Sequence, residues 1–238
     1  MKKILREFPP TRGDNLLLEH FDGAINNIAT TTVFNEDEYP LLILIDHSFQ
    51  KVVRTLKNPP ALYEGFLLMR CHAAFRAASL LSMAGQNTET FPLVRCCLEN
   101  AMYALHINRN PGNDDVWMNR HRCDEALKKA KKAFGYSSVY KTFEKTDPET
   151  AKVADMLYQR AIDFGAHPNE RATTGSMTIK VDGKTRYFTQ DYLSGGTQEQ
   201  KHSLRTTAQT GLCALIIFQT IFPDIFREQH ITEAIESM

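Results

Sequence analysis

An all-α antiparallel helical bundle with a small β-hairpin insertion near residues 176–190 is the fold this sequence predicts. Three observations carry that prediction. Apolar residues recur every three or four positions through successive long windows, Gly and Pro clusters separate those windows, and one stretch, 170–196, loses the helical period altogether. The 238 residues suffice for one large core. A single helical domain over 1–238 is expected, with an N-terminal arm over 1–13 and the hairpin insertion over 170–196.

The elements follow in order. Residues 1–10, ending in Pro9-Pro10, read as an extended arm able to cross to a partner subunit. A first helix over about 14–29 has Asp14 as its N-cap and Leu16, Leu17, Phe21 and Ile25 on its apolar side. After Thr30-Thr31-Thr32 a second helix begins near Glu36-Asp37-Glu38, whose negative charge suits a helix N-terminus. It runs past Phe49, Val52, Val53 and Leu56 to Pro59-Pro60. The third, over 61–84, places Leu62, Phe66, Ala73, Ala77, Leu81 and Ala84 on one face together with Arg70, and ends near Gly85. The fourth, over 89–107, has a seam of Val94, Leu98, Ala101 and Leu105. Small residues on both predict a close antiparallel hairpin.

Asn108-Arg-Asn-Pro-Gly112 is turn chemistry, and Asp114 then opens a helix reaching about residue 134. It contains Trp117, the only tryptophan, and a basic distal half with Arg120, Arg122, Lys128, Lys129, Lys131 and Lys132. That half is either a solvated helical face or a phosphate-contacting surface. Short helices near 138–143 and 148–164 lead to His167. The segment 178–188 reads as a hairpin turning at Asp182-Gly183 in type I′ geometry, and could serve as a lid, a dimerisation ribbon or a self-folded connection. A last long helix over 197–222 carries Leu204, Ala208, Gly211, Leu215 and Phe222 on one side and stops at Pro223. Residues 224–238 form a short amphipathic tail.

Composition narrows the function classes. Lys+Arg and Asp+Glu number 28 each, so no bulk positive field recruits nucleic acid and any RNA contact must be local. No apolar run has signal-peptide or bilayer-spanning length, which predicts a soluble cytoplasmic protein with no membrane association. Cys71, Cys96, Cys97, Cys123 and Cys213 sit inside predicted helices without zinc-site spacing, so they read as buried small residues in a reducing compartment. Neither a metal nor a cofactor is expected.

Two polar groups stand out. At 100° per residue Arg160 lies within the stripe of Val153, Leu157, Ala161 and Phe164, so it must be paired or must face a cavity or interface. Gly165 reads as a helix stop, and Pro168 prevents continuation, displaying His167 just past the terminus. A base near neutral pKa and a fixed cation are what attack of an RNA 2′-hydroxyl on its own phosphodiester requires. The plain alternative for His167 is capping or packing. In the fourth helix Arg95, Glu99, Met102 and His106 share one edge. An Arg-to-Glu order at i,i+4 is the less favourable one on a surface, so the pair reads either as a structural clamp or as a second layer orienting Arg160 or His167. His20, His47 and His230 stand alone, and no Walker loop, G-x-S-x-G or H-E-x-x-H occurs.

The run Phe91-Pro-Leu-Val-Arg95-Cys-Cys-Leu-Glu99-Asn-Ala-Met-Tyr-Ala-Leu, followed by Tyr158-Gln-Arg160 and Gly165-Ala-His167-Pro-Asn169, resembles the HEPN-like superfamily of small prokaryotic helical proteins. The resemblance covers roughly residues 61–222. It implies a metal-independent endoribonuclease of toxin or phage-defence type, active at a homodimer interface, with an arginine and a histidine as the catalytic pair. Carried onto this chain, those two are Arg160 and His167, with Arg95, Glu99, Tyr158 and Asn169 around them. Ala161 stands where the superfamily usually has a polar residue, and Gly165 interrupts the helix between the pair. Expected partners are a second copy, RNA, and a cognate antitoxin or regulatory protein. The rival expectation is a non-catalytic interaction or regulatory module in which Arg160 pairs with Glu99 and His167 terminates a helix.

Overall fold

The computed structural model describes residues 16–57 and 61–238. The arm over 1–13, the Asp14 cap and Pro59-Pro60 lie outside the described residues. Chain order is α1 (Leu16–Phe34), α2 (Glu38–Thr55), α3 (Leu62–Ala84), α4 (Asn87–Arg109), α5 (Asn113–Met118), α6 (Asp124–Ala133), α7 (Tyr136–Thr146) and α8 (Pro148–Ala161). A π-helical turn (Ile162–Ala166) and α9 (Glu170–Thr174) precede β1 (Met177–Asp182) and β2 (Thr185–Gln190), and α10 (Gln198–Ile221), α11 (Pro223–Glu228) and α12 (Ile231–Glu236) close the chain. The fold is therefore an all-α bundle with one antiparallel hairpin. Among the described residues no helix is long and apolar enough to cross a membrane.

The most extensive contact joins α3 and α4, and α10 packs across both. Gly85 turns the α3–α4 hairpin at φ +80°, where its amide bonds back to Ser82, and a Cβ there would press on the backbone of Ser194 and Gly195. Small side chains at the contact let the backbones approach, and the Cys71 and Cys97 thiols meet at 3.4 Å in the interior. Gly211 does the same for α10: a Cβ there would collide with the Phe75 ring and with Ile45. One buried polar side chain fastens the end near Gly85. Gln200 Nε2 donates to Thr31 Oγ1 and to the carbonyls of Ser82 and Met83, joining α1, α3 and α10.

Several helices differ from expectation. The first runs on through the threonines to Phe34, because Thr32 bonds back to Ile28 and Thr31 is buried against Met83. Its Leu16, Leu17, Phe21 and Ile25 are exposed, not core. Leu62, Phe66 and Ala73 of α3 also face outward, and the buried face is Leu67, Leu68, Cys71, Ala74, Phe75 and Ala78. The expected helix from Asp114 to residue 134 is two, α5 and α6, with exposed Cys123 capping α6 through its Sγ rather than lying buried inside a helix. In α8 Val153 is exposed, and Ala151, Ala154, Leu157, Tyr158 and Ala161 form the buried face. The hairpin corner is Gly183-Lys184, since Asp182 still pairs with Thr185. Only Gly183 has a positive φ, which gives the II′ rather than the I′ pattern. Every strand residue is exposed.

Between α2 and α3, Asp46 accepts from His72 Nε2 at 2.6 Å, from Arg76 Nε at 2.6 Å and Nη2 at 3.0 Å, and from Gln50 at 2.6 Å. Burial opposes its charge, but the bonds from Arg76, His72 and Gln50 outweigh it and hold its carboxyl well below the usual range. Burial outweighs Asp46 at His72 and lowers that pKa, so the ring is a neutral donor stacked on Phe49.

Two stability measurements follow. Gly211→Val is expected to cost about 1–3 kcal/mol by overpacking, a fall of about 2–4 °C in Tm per kcal/mol for a chain of this size, read by thermal melting. Asp46→Asn is expected to cost about 1–2 kcal/mol at neutral pH after allowing for solvent screening, read from urea midpoints. Because the folded pKa of Asp46 is depressed, its contribution is complete above the ordinary 3.8 and is lost as pH falls from there through the folded value, so wild type and variant should converge on acidification.

Candidate functional site

The constellation is assembled on α4. Arg95 and Glu99, one helical turn apart, point into the space beside α7 and α8, and Arg95 Nε donates to Glu99 Oε1 at 2.8 Å. Tyr158 of α8 lies beneath, its ring centroid 4.9 Å from the Arg95 guanidinium carbon. Tyr136, the first residue of α7, stacks on Tyr158 at 4.1 Å and donates to Asp155 at 2.6 Å. These side chains, with Tyr103 and Phe134, line a cleft of about 240 Å³.

His167 reaches this cluster by way of the π-helical turn. After Ala161 the chain does not simply stop at Gly165. It widens into the turn, and Gly165 lies so close to α4 that a Cβ would run into the Thr88 carbonyl. Phe164 packs on Phe91 at 5.5 Å and on His202 at 4.8 Å, which seats the turn. Asn169 then holds both ends: its Nδ2 donates to the Ile162 carbonyl and its Oδ1 accepts from Ala172 N as the cap of α9, each at 2.8 Å. The result brings exposed His167 to Arg95, with Nε2 2.7 Å from Nη1. Arginine can only donate, so Nε2 is the acceptor in this contact.

Arg160 goes elsewhere. It donates to Gln209 Oε1 at 2.7 Å and Thr206 Oγ1 at 3.3 Å on α10, with Met156 Sδ at 3.9 Å. No hydrogen bond joins it to His167 or Glu99 among the described residues, and burial lowers its pKa with no carboxylate to oppose it. The expected Arg160–Glu99 pairing is thus replaced by Arg95–Glu99, and the guanidinium beside His167 is that of Arg95. The physical reason is the turn between them, which moves His167 toward α4 while Arg160 stays on the side of α8 that meets α10. His106, expected on the same edge, is buried and bonds to Thr142 Oγ1 at 2.8 Å and Asn113 Nδ2 at 2.9 Å. Its role is to join α4 to α5 and α7.

Electrostatics follow from these contacts. Burial works against the Arg95 charge, but Glu99 and Tyr158 outweigh it and raise its pKa. Burial raises the Tyr158 phenol, Arg95 opposing and Glu99 adding to the rise, and burial together with Asp155 pushes Tyr136 far above the ordinary range. Both phenols therefore stay protonated and act as donors near neutrality. Of the basic residues, Arg122, Lys128, Lys129, Lys131 and Lys132 are exposed at or before α6, while Arg120 is half-buried and its Nε is shielded from solvent without a partner. Among the described residues no three His, Cys, Asp or Glu side chains converge as a metal-ligand set.

Tyr103, Phe134 and Tyr136 escaped the sequence reading. Each stands at a helix end or on a seam whose apolar character looked sufficient, and Tyr136 directly follows Gly135 at the start of α7, where no periodicity had begun. Arg95 was legible as part of a polar edge and was expected around Arg160 and His167, but not as the direct partner of His167. No family model, no curated protein and no solved structure matches this chain.

Proposed function

We propose that the chain is a helical, RNA-acting protein with a metal-independent endoribonuclease centre, in which His167 takes the proton and Arg95 carries the phosphate charge. The observation that bears the most weight is the 2.7 Å contact between Arg95 Nη1 and His167 Nε2 at the solvent edge of an aromatic cleft. A phosphodiester competes for the guanidinium through its two non-bridging oxygens. Arg95 turning to that anion releases Nε2 as a base. The 2′-hydroxyl proton passes to Nε2, the 2′-oxygen bonds to phosphorus, and the bond to the 5′-oxygen breaks. The products are a 2′,3′-cyclic phosphate and a 5′-hydroxyl that takes its proton from solvent. Tyr158 holds the guanidinium in place, and Glu99 orients it.

This reading moves the cationic role from Arg160 to Arg95 and keeps that of His167. It retains a homodimer as the working assembly, supported by the exposed Met177, Ile179, Val181 and Phe188 on one face of the hairpin. A cognate antitoxin or regulatory protein would meet the same uncovered surfaces, in the cytoplasm and with a toxin or phage-defence role.

The second reading, a non-catalytic interaction module, is favoured by one observation: Glu99 neutralises Arg95 in the resting arrangement. The two are separable. Incubated with single-stranded and structured RNA in chelator, the protein is expected to cut, with His167→Ala and Arg95→Ala each slowing cleavage about 10²–10⁴-fold and Arg160→Ala retaining most of it. Cleavage unaffected by His167→Ala rejects the proposal.

Glu99→Ala is expected to cost less than about 1 kcal/mol in thermal melts, because the side chains of the pair are 25 % and 37 % exposed. A much larger loss favours the scaffold.

A further inference from the structure

Beyond the Arg95 cleft, Tyr103 and Phe134 form a partition whose other side is a second cavity of about 160 Å³, lined also by Trp117, Arg120 and Lys131. The partition is a fixed wall: the Tyr103 hydroxyl donates to the Phe134 carbonyl at 3.0 Å, and the two rings pack at 5.1 Å. Tyr103 responds to both sides. Burial raises its phenol, Glu99 and Arg95 act on it from the first cleft, and Arg120 acts from the second.

The two cavities differ in chemistry. The first contains a carboxylate beside its cation, whereas the second is lined by two cations and no acid, with an indole, a phenol and the Phe134 ring as its aromatic walls. Arg120 Nε is shielded from solvent and has no hydrogen-bond acceptor. The guanidinium thus lacks an acceptor from the chain itself, and an anionic ligand in the cavity that Arg120 lines would supply one. Aromatic faces stack a base of any identity, and a guanidinium and an ammonium hold the phosphate beside it. A simple anion would leave the rings unused, and an uncharged aromatic would leave the cations unused.

We infer that the cavity between Trp117 and Lys131 is a nucleotide subsite, in which a base packs on Trp117 and Tyr103 while its phosphate is held by Arg120 and Lys131. The RNA would thus extend from the Arg95–His167 cleft across the Tyr103–Phe134 partition, placing a neighbouring nucleotide in the second cavity. That adjacency rests on the reading of His167 as the cleaving group. Exposed Lys128, Lys129 and Lys132 of the same helix then continue the positive surface outward.

Trp117 is the only tryptophan in the chain, so its fluorescence reports on this cavity alone. The full-length protein is titrated with adenosine monophosphate, with adenosine, with inorganic phosphate, and with a short single-stranded 2′-O-methyl oligoribonucleotide that cannot be cleaved. The expected result is a saturable change with the nucleotide and the oligonucleotide. Adenosine or phosphate alone should bind roughly tenfold or more weakly, and Arg120→Ala and Lys131→Ala should each weaken nucleotide binding by a similar factor. Lys131 is exposed, so its variant keeps the fold, and Lys152→Ala on α8 is the control for loss of charge elsewhere. Equal affinity for phosphate alone, equal affinity for adenosine, insensitivity to Lys131→Ala, or no saturable change would each overturn the inference. Nucleotide binding without RNA cleavage would retain the subsite and reject the proposed nuclease, whereas cleavage dependent on His167 without a Trp117 response would do the reverse.

Discussion

The close approach of α3 and α4 is the constraint on which the other elements depend. Thiols of Cys71 and Cys97 in contact, alanines at the seam and a left-handed Gly85 at the turn set the two backbones at a separation that larger side chains would not allow. Gly211 extends the same principle to α10, where the Phe75 ring occupies the space a Cβ would take. With α3 and α10 covering one side of α4, the other side receives α7, α8 and the π-helical turn. Arg95 and Glu99 stand at the boundary between these packed faces and solvent, so a rigid helix positions both side chains.

Local irregularity then completes what the regular packing begins. A straight continuation of α8 would not bring residue 167 to α4. The π-helical turn does, because Gly165 presents no side chain to the Thr88 carbonyl and Asn169 satisfies the backbone on either side of the bend. The histidine is consequently held from both flanks while its ring remains exposed. That combination links packing to the proposed chemistry: a group that must meet a substrate is displayed by a segment whose own backbone bonds are met.

Long, strongly periodic helices were legible in the sequence to within a residue or two, as α3, α4 and α10 illustrate, and so was the hairpin. Faces were harder to read. Helix α3 is apolar on several sides, so periodicity alone could not distinguish the Leu62–Phe66 side from the Leu68–Phe75 side that α4 and α10 cover. In α1 the apolar stripe of Leu16, Leu17, Phe21 and Ile25 is clear in the sequence, but among the described residues no element covers it. Arg160 and His167 were each singled out as unusual positions, but joining them assumed a helix that ended cleanly, and Arg160 bonds to Gln209 while His167 meets Arg95. A π-helical turn has no periodic signature, and the partner it selects, Arg95, lies 72 residues away in the chain. Aromatic Tyr103, Tyr136 and Phe134 looked like ordinary packing, because the hydroxyls of Tyr103 and Tyr136 find their acceptors, the Phe134 carbonyl and Asp155, only in three dimensions.

Arg95, and not Arg160, is the guanidinium bound to His167. Side-chain nitrogen-15 NMR in mildly alkaline buffer tests it most directly, by reading which imidazole nitrogen of His167 lacks a proton in wild type, Arg95→Ala and Arg160→Ala. The expected result is a bare Nε2 in wild type and in Arg160→Ala, and a redistribution of tautomers in Arg95→Ala. A tautomer balance that responds to Arg160→Ala and ignores Arg95→Ala would contradict it.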